Sequence, residues 1–311
     1  MTQNTIGIDI SKATLDVHRL ADGQSIQFEN AQKGFDALKR WVRTDPPDLV
    51  IYEATGPYSR ALEKAFADEL ALVKVNPMRA RRFAQACGIR VKTDRVDARM
   101  LAGMGAALDL APDMPPAEDT HDLKELNVAR LALVKERTRL KTRSQTLTLG
   151  LLRKQAAARL AQIERQLKGI DAEIRTRLTA IRERARACAI LCSIPGIGAV
   201  TAASLLIDIP ELGSLSGKQA ASLAGLAPVT RQSGNWQGKS YIQGGRKRIR
   251  DALYMPALVA IQHNPERAAK YDALITKGKP PKVALTAVMR KLLILANALI
   301  RDDREWALNA P

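Results

Sequence analysis

Four carboxylates in the first third of this chain have the types and spacing for metal-assisted phosphodiester chemistry. They are Asp9 in Ile6-Gly7-Ile8-Asp9-Ile10, Glu53 at the end of Leu49-Val50-Ile51-Tyr52, and the pair Asp94 and Asp97 in Thr93-Asp94-Arg95-Val96-Asp97. Hard divalent cations such as Mg²⁺ take oxygen ligands, and an anionic backbone must have its charge neutralised where it is cut. Asp94 and Asp97 stand at i and i+3 of a helix that Thr93 can cap, so both carboxylates share one face. Each placement also has a plain reading. An Asp-x-x-Asp pairs readily with Lys92, Arg95 or Arg99 on a solvated face, and acidic residues commonly end apolar strands where these meet water. A strand Asp, a strand-end Glu and a helical Asp pair in one domain together favour the metal site.

The elements that must position these groups are visible in the hydropathy pattern. Residues 5–10 alternate, with Ile6, Ile8 and Ile10 on one face and Asp9 beside Gly7 on the other. Strands are expected at 15–20 and 25–29, a helix at 34–42, and a strand covered on both faces at 49–52. A helix near 58–68, a strand at 71–75 and helices at 79–87 and 94–104 follow. Three consecutive strands and then alternating helix and strand describe an RNase H-like α/β domain over residues 1–110.

The segment Ala111-Pro112-Asp113-Met114-Pro115-Pro116 breaks periodicity and marks a boundary. Beyond it Leu126, Leu133, Leu140 and Leu147 recur every seven residues, and Leu160, Ile163, Leu167, Ile170, Ile174, Leu178 and Ile181 every three or four. With a break near Gly150, this predicts a long antiparallel helical hairpin of coiled-coil type within a segment 111–190 that includes the linker. Residues 191–311 read as a mostly helical domain with a polar, glycine-bearing loop over 230–245 and a long helix over 282–300.

The chain carries 49 Lys and Arg against 32 Asp and Glu, a net charge of +17, which favours a polyanionic partner. The surplus is uneven: +2 over residues 1–110, −3 over 111–120, +10 over 121–190 and +8 over 191–311. Nucleic acid would therefore be held by the middle and C-terminal parts and presented to a nearly neutral acidic site. No signal-peptide pattern opens the chain, and the apolar stretch 292–300 is about half a membrane span. A soluble, cytoplasmic protein with no membrane partner is expected. Cys87, Cys188 and Cys192 have neither disulfide nor zinc spacing and are expected as buried thiols.

Two C-terminal motifs have phosphate-binding composition. Ile194-Pro195-Gly196-Ile197-Gly198 joins two apolar helices as in a helix-hairpin-helix, where Gly196 and Gly198 would let main-chain N–H groups approach a phosphate; a tight turn with no ligand accounts for it equally well. Arg246, Lys247, Arg248 and Arg250 lie at an expected helix start and would grip phosphates. Ser233 precedes a glycine in a turn-like loop with no histidine near it in sequence, so residue chemistry does not single it out.

The combined motifs resemble the insertion-sequence transposases that join a RuvC-like DEDD domain to a serine-bearing transposase domain, a family including bridge-RNA-guided recombinases and Piv-type invertases. The resemblance spans nearly the whole chain. It rests on Gly7 to Lys12, Glu53 to Tyr58, Val75 to Pro77 and Lys92 to Arg99, and in the C-terminal part on Ile194 to Gly198, Ala224 to Pro228, Ser233-Gly234, Gly244-Gly245 and Arg250 to Met255. It implies that Asp9, Glu53, Asp94 and Asp97 hold Mg²⁺ and that Ser233 is the nucleophile forming a covalent phosphoserine link to DNA. It further implies a structured guide RNA, a contact at Lys239, and a homo-oligomer, dimer or tetramer, whose sites are shared between subunits and whose helical hairpins touch. Rival expectations are a site-specific invertase without RNA guide, a junction nuclease that activates water, and a non-enzymatic nucleic-acid scaffold.

Overall fold

A computed structural model describes residues 4–54, 56–91, 93–113, 119–234 and 236–307. The expected boundary at Met114 to Pro116, with Lys92 and Thr55, lies outside the described residues. The chain separates into two compact units, Met1–Ala117 and Glu118–Pro311, and the hairpin helices belong to the second.

The first unit is built on β1 (Thr5–Ile10), β2 (Thr14–Arg19), β3 (Ser25–Glu29), α1 (Gln32–Thr44), β4 (Leu49–Glu53), a 3₁₀ turn (Gly56–Ser59), α2 (Arg60–Phe66), β5 (Leu72–Val75), α3 (Pro77–Ala86) and α4 (Asp94–Ala107). The sheet order is β3-β2-β1-β4-β5. β1 pairs antiparallel with β2 and parallel with β4, so β1 is central. The mixed sheet with helices on both faces is consistent with an RNase H-like domain. Period-2 alternation assigns the faces. Ile6, Ile8 and Ile10 join Val50 and Tyr52 in a core with Phe35 and Leu38 of α1 and Leu62 and Phe66 of α2. Leu49 and Ile51 face the other way, onto Met100, Leu101 and Met104 of α4. Each such buried aliphatic side chain contributes about 1.5–3 kcal/mol, which makes a one-residue register slip of β1 prohibitive.

The second unit opens with α5 (Thr120–Ser144) and α6 (Gly150–Thr179). These run in opposite directions: Asp122 pairs with Arg177, Arg130 with Asp171 and Arg137 with Glu164, one partner rising in number as the other falls. Between them Leu140, Ala156, Ile163 and Leu167 form a buried seam flanked by Leu133, Leu147 and Leu160. Ile181 lies outside it, 37% exposed, because α6 ends at Thr179. There follow α7 (Arg182–Ser193), α8 (Ala199–Asp208) and α9 (Gly217–Leu223), then the short strands β6 (Pro228–Val229), β7 (Gln232–Ser233), β8 (Trp236–Gln237) and β9 (Tyr241–Ile242), and finally α10 (Lys247–His263), α11 (Pro265–Thr276) and α12 (Pro281–Arg301).

Three expectations change here. The segment 230–245, expected as a loop, carries β7 paired with β8, and β9 paired with β6 just before the segment; pairings two residues long are too short for periodicity to reveal. The thiols are not fully buried: Cys87, at the end of α3, and Cys192, near the end of α7, are exposed, and Cys188, midway along α7, is partly buried against the core of the second unit. The apolar helix is longer than the run 292–300, and by length and composition α12 could cross a membrane. Here Leu285, Val288, Leu292, Leu293, Ala296 and Leu299 of α12 lie in the core shared with α7, α8, α9 and α10, the position of a core helix.

Candidate functional site

Gly7 sets how closely α4 can approach β1. A Cβ on Gly7 would lie 2.0 Å from the Ala98 carbonyl oxygen and 2.4 Å from the Ala102 nitrogen, so only glycine admits this contact. One pleat earlier on the same face, the Thr5 hydroxyl donates to the Ala102 carbonyl at 2.9 Å. Rising along β1 from Thr5 to Gly7 therefore descends α4 from Ala102 to Ala98. The next residue on that face is Asp9, and the next turn of α4 carries Asp94 and Asp97. Thr93 caps this turn, its hydroxyl accepting from the Val96 N–H at 3.3 Å, and the helix start favours the two carboxylates. In the parallel ladder Ile8 pairs with Tyr52, which puts Glu53 one step beyond, beside Asp9 and with the parity of Ile51 on the α4 face.

The electrostatics report this convergence. Partial burial, followed by the negative charges of Asp94, Asp97, Glu53 and Asp16, pushes the Asp9 carboxyl up to about 6. Among the described residues, however, no three Asp, Glu, His or Cys side chains are gathered tightly enough to hold an ion as they stand. The two observations differ in reach, since Coulomb repulsion acts over distances at which coordination does not. We read the carboxylates as a shared negative field whose oxygen donors suit a divalent cation, with side-chain rotation still needed to close a coordination shell. Asp94 is exposed and has no ion-pair partner among the described residues. Asp16, which the sequence reading passed over, faces Asp9 across the β1–β2 ladder and accepts from the Gln27 amide at 3.1 Å. The short connection between two alternating strands was the signal that would have found it.

In the second unit, Ser233 is exposed on β7 opposite Trp236 of β8, and its hydroxyl has no partner among the described residues. The two glycines of the Pro-Gly turn differ. Gly196, with φ of 100°, lies against α10, where a Cβ would stand 2.5 Å from the Pro256 carbonyl oxygen, so packing alone requires it. Gly198 is exposed, has open space around it, and starts α8 with no side-chain cap, leaving the first N–H groups of that helix for solvent or an anion.

The basic residues are also unequal. Arg246 forms a fork with both Glu211 carboxylate oxygens, at 2.8 and 2.7 Å, and donates to the Asp208 carbonyl at 2.8 Å. Burial alone would raise the Glu211 carboxyl, yet these bonds leave it below its ordinary range. Arg250 donates to the Ala224 carbonyl at 3.0 Å and to that of Gly244, bracing the loop. Lys247 pairs with Asp251 one turn on, at 2.7 Å. Arg248 and Lys239 are exposed, with no ion pair among the described residues, and are the members of the set with cationic groups to offer.

Residues 6–153 match the DEDD transposases of the IS110 group, and residues 188–272 match the "Transposase IS116/IS110/IS902 family". The chain is 34% identical over 323 residues to the pilin gene-inverting protein of Moraxella bovis, covering 98% of both, and equally so to that of Moraxella lacunata. It is 30% identical over 166 residues to the IS110 insertion element 43.6 kDa protein of Streptomyces coelicolor, covering 53% of this chain and 40% of that one. With both domains present in the same order and a relative aligned end to end, the chain belongs to the IS110 family of transposases, enzymes that act on DNA.

Proposed function

We propose that this protein is a DNA recombinase that cuts and rejoins strands through Ser233, with Mg²⁺ held by Asp9, Glu53, Asp94 and Asp97. The observation that carries the reading is the negative field converging on Asp9 from three separate elements within a family of transposases. The bound ion would supply charge neutralisation at the scissile phosphate. Ser233 Oγ attacks the phosphorus, a new serine–phosphate ester forms, and the bond to one ester oxygen of the DNA breaks. That oxygen leaves as a hydroxyl with the serine's proton, and attack on the phosphoserine by the equivalent hydroxyl of the other cut strand joins the exchanged strands and returns the proton to the serine. One phosphodiester replaces another at each step, so no external energy source is required.

Inversion of a DNA segment is the outcome favoured by the relatives named as pilin gene-inverting proteins, which align over 98% of this chain. A structured guide RNA and a homo-oligomer sharing sites between subunits complete the proposal. Its support is the basic surplus of the hairpin. The acids Asp122, Glu136, Glu164, Asp171 and Glu173 are consumed in ion pairs, while Lys135, Arg139, Lys154, Arg165 and Lys168 have none among the described residues. A coiled-coil contact between hairpins is the assembly we propose, and the cytoplasm, where DNA is, the place of action.

The test is strand exchange in vitro. Ser233→Ala and Asp9→Ala should each abolish it while leaving nucleic-acid binding intact, and wild type should leave a protein–DNA adduct on a denaturing gel. Recombination by Ser233→Ala at the wild-type rate would overturn the covalent route. Hydrolysed ends without an adduct would point to a water-activating nuclease. Sequencing copurified nucleic acid tests the guide RNA.

A further inference from the structure

We infer that Trp236 is a stacking platform for an unpaired DNA base beside the phosphate that Ser233 attacks. The inference rests on the reading of Ser233 given above and adds a binding subsite to it. Ser233 and Trp236 are directly opposed in the β7–β8 pair, so both side chains leave the same face of the hairpin and start within about 5.5 Å of each other. Trp236 is 60% exposed, which is unusual for the largest apolar side chain in a protein whose other tryptophans pack inward, Trp41 under Arg19 and Trp306 against the core of the second unit.

Its exposure is one-sided and built. The indole lies over Gly238, where a Cβ would stand 2.4 Å from Cη2 and 2.9 Å from Cζ3. Gly238 is in turn tied down by its N–H donating to the Arg231 carbonyl at 3.0 Å, and the Thr230 and Ser240 hydroxyls are bonded across the base of the loop at 2.9 Å. The outer edge of the ring is thus seated against backbone while most of the indole is offered to solvent.

The surroundings suit a nucleobase. Arg231, whose guanidinium lies over the Tyr241 ring at 5.2 Å, stands opposite Gly238 in the same loop, and residues 228–250 contain no acidic side chain. An exposed aromatic ring in a basic, acid-free loop, opposite the proposed nucleophile, suits a base splayed from its stack and held by its own backbone. By stacking the neighbouring base, Trp236 would fix the phosphate in front of Ser233 Oγ, acting as a positioning residue.

The experiment uses the full chain and a single-stranded DNA oligonucleotide carrying 2-aminopurine. Wild type and Ser233→Ala should quench the probe alike. Trp236→Ala should bind about 5- to 100-fold more weakly and lose the quench, Trp236→Phe should keep part of both, and Gly238→Ala, which displaces the indole, should fall between. Unfolding midpoints should stay unchanged in Trp236→Ala, since the ring buries little. Unaltered quenching and affinity in Trp236→Ala overturns the platform, and a Trp236-dependent preference for the ribo-oligonucleotide overturns its assignment to DNA. Strand exchange by Ser233→Ala would remove the serine reading while the quenching result stands on its own.

Discussion

Gly7 and Ala98 meet backbone to backbone, with no room for a methyl group between the central strand and the helix that carries Asp94 and Asp97. Glycine at this position therefore determines how near the helical acids come to Asp9. Gly7→Ala should destabilise the protein by about 1–3 kcal/mol, as overpacking against backbone does, and should weaken any Mg²⁺-dependent gain in stability. Denaturant unfolding with and without Mg²⁺ measures both; an unchanged midpoint would show that α4 yields freely.

Asp9 bears a negative charge that burial and four neighbouring carboxylates oppose. In chelator at pH 7.5, Asp9→Asn should unfold at higher temperature than wild type, by roughly 1 kcal/mol in stability, because it removes that opposed charge. Adding Mg²⁺ should raise the wild-type melting temperature and leave the variant nearly still. A variant less stable than wild type in chelator would mean that the ionised carboxylate is satisfied locally.

Asp119 receives two bonds from the Arg184 guanidinium, one at 2.9 Å, and the first cause of its lowered carboxyl is this contact, against a smaller opposing effect of burial. A depressed folded value contributes stability above the ordinary carboxylate range, and the contribution is lost as pH falls through the folded value. Asp119→Asn should cost about 1 kcal/mol at pH 7, with the difference from wild type closing in acid. Chemical unfolding across pH 7 to 3 follows the gap; a gap independent of pH would assign the loss to packing.

Arg246 and Arg248 are two residues apart and should behave oppositely. Arg246→Gln breaks the Glu211 fork and should cost stability by about 1–3 kcal/mol. Arg248→Gln should leave stability unchanged and reduce the salt slope of DNA binding by about one. Thermal melts and binding titrations over a salt series separate the two, and a lowered salt slope for Arg246→Gln at wild-type stability would reverse the assignment.

Much of the first unit could be read from residue order. Alternation in 5–10 placed Ile6, Ile8 and Ile10 inward and Asp9 on the opposite face, and Thr93 before Asp94 marked the start of α4, because pleat and cap are short-range effects of neighbouring residues. Heptads likewise foretold α5 and α6, although α6 stopped short of Ile181. What residue order left open depends on which segments meet. The Asp9–Asp16 opposition follows from strand register, the engagement of Arg246 by Glu211 from the approach of α10 to the end of α8, and the seating of Trp236 on Gly238 from a two-residue pairing. Four adjacent cations look alike along the chain. Distance in space, on which Coulomb attraction and van der Waals contact depend, then separates Arg246 and Arg250, bound to their own protein, from Arg248, which is exposed with no ion pair among the described residues.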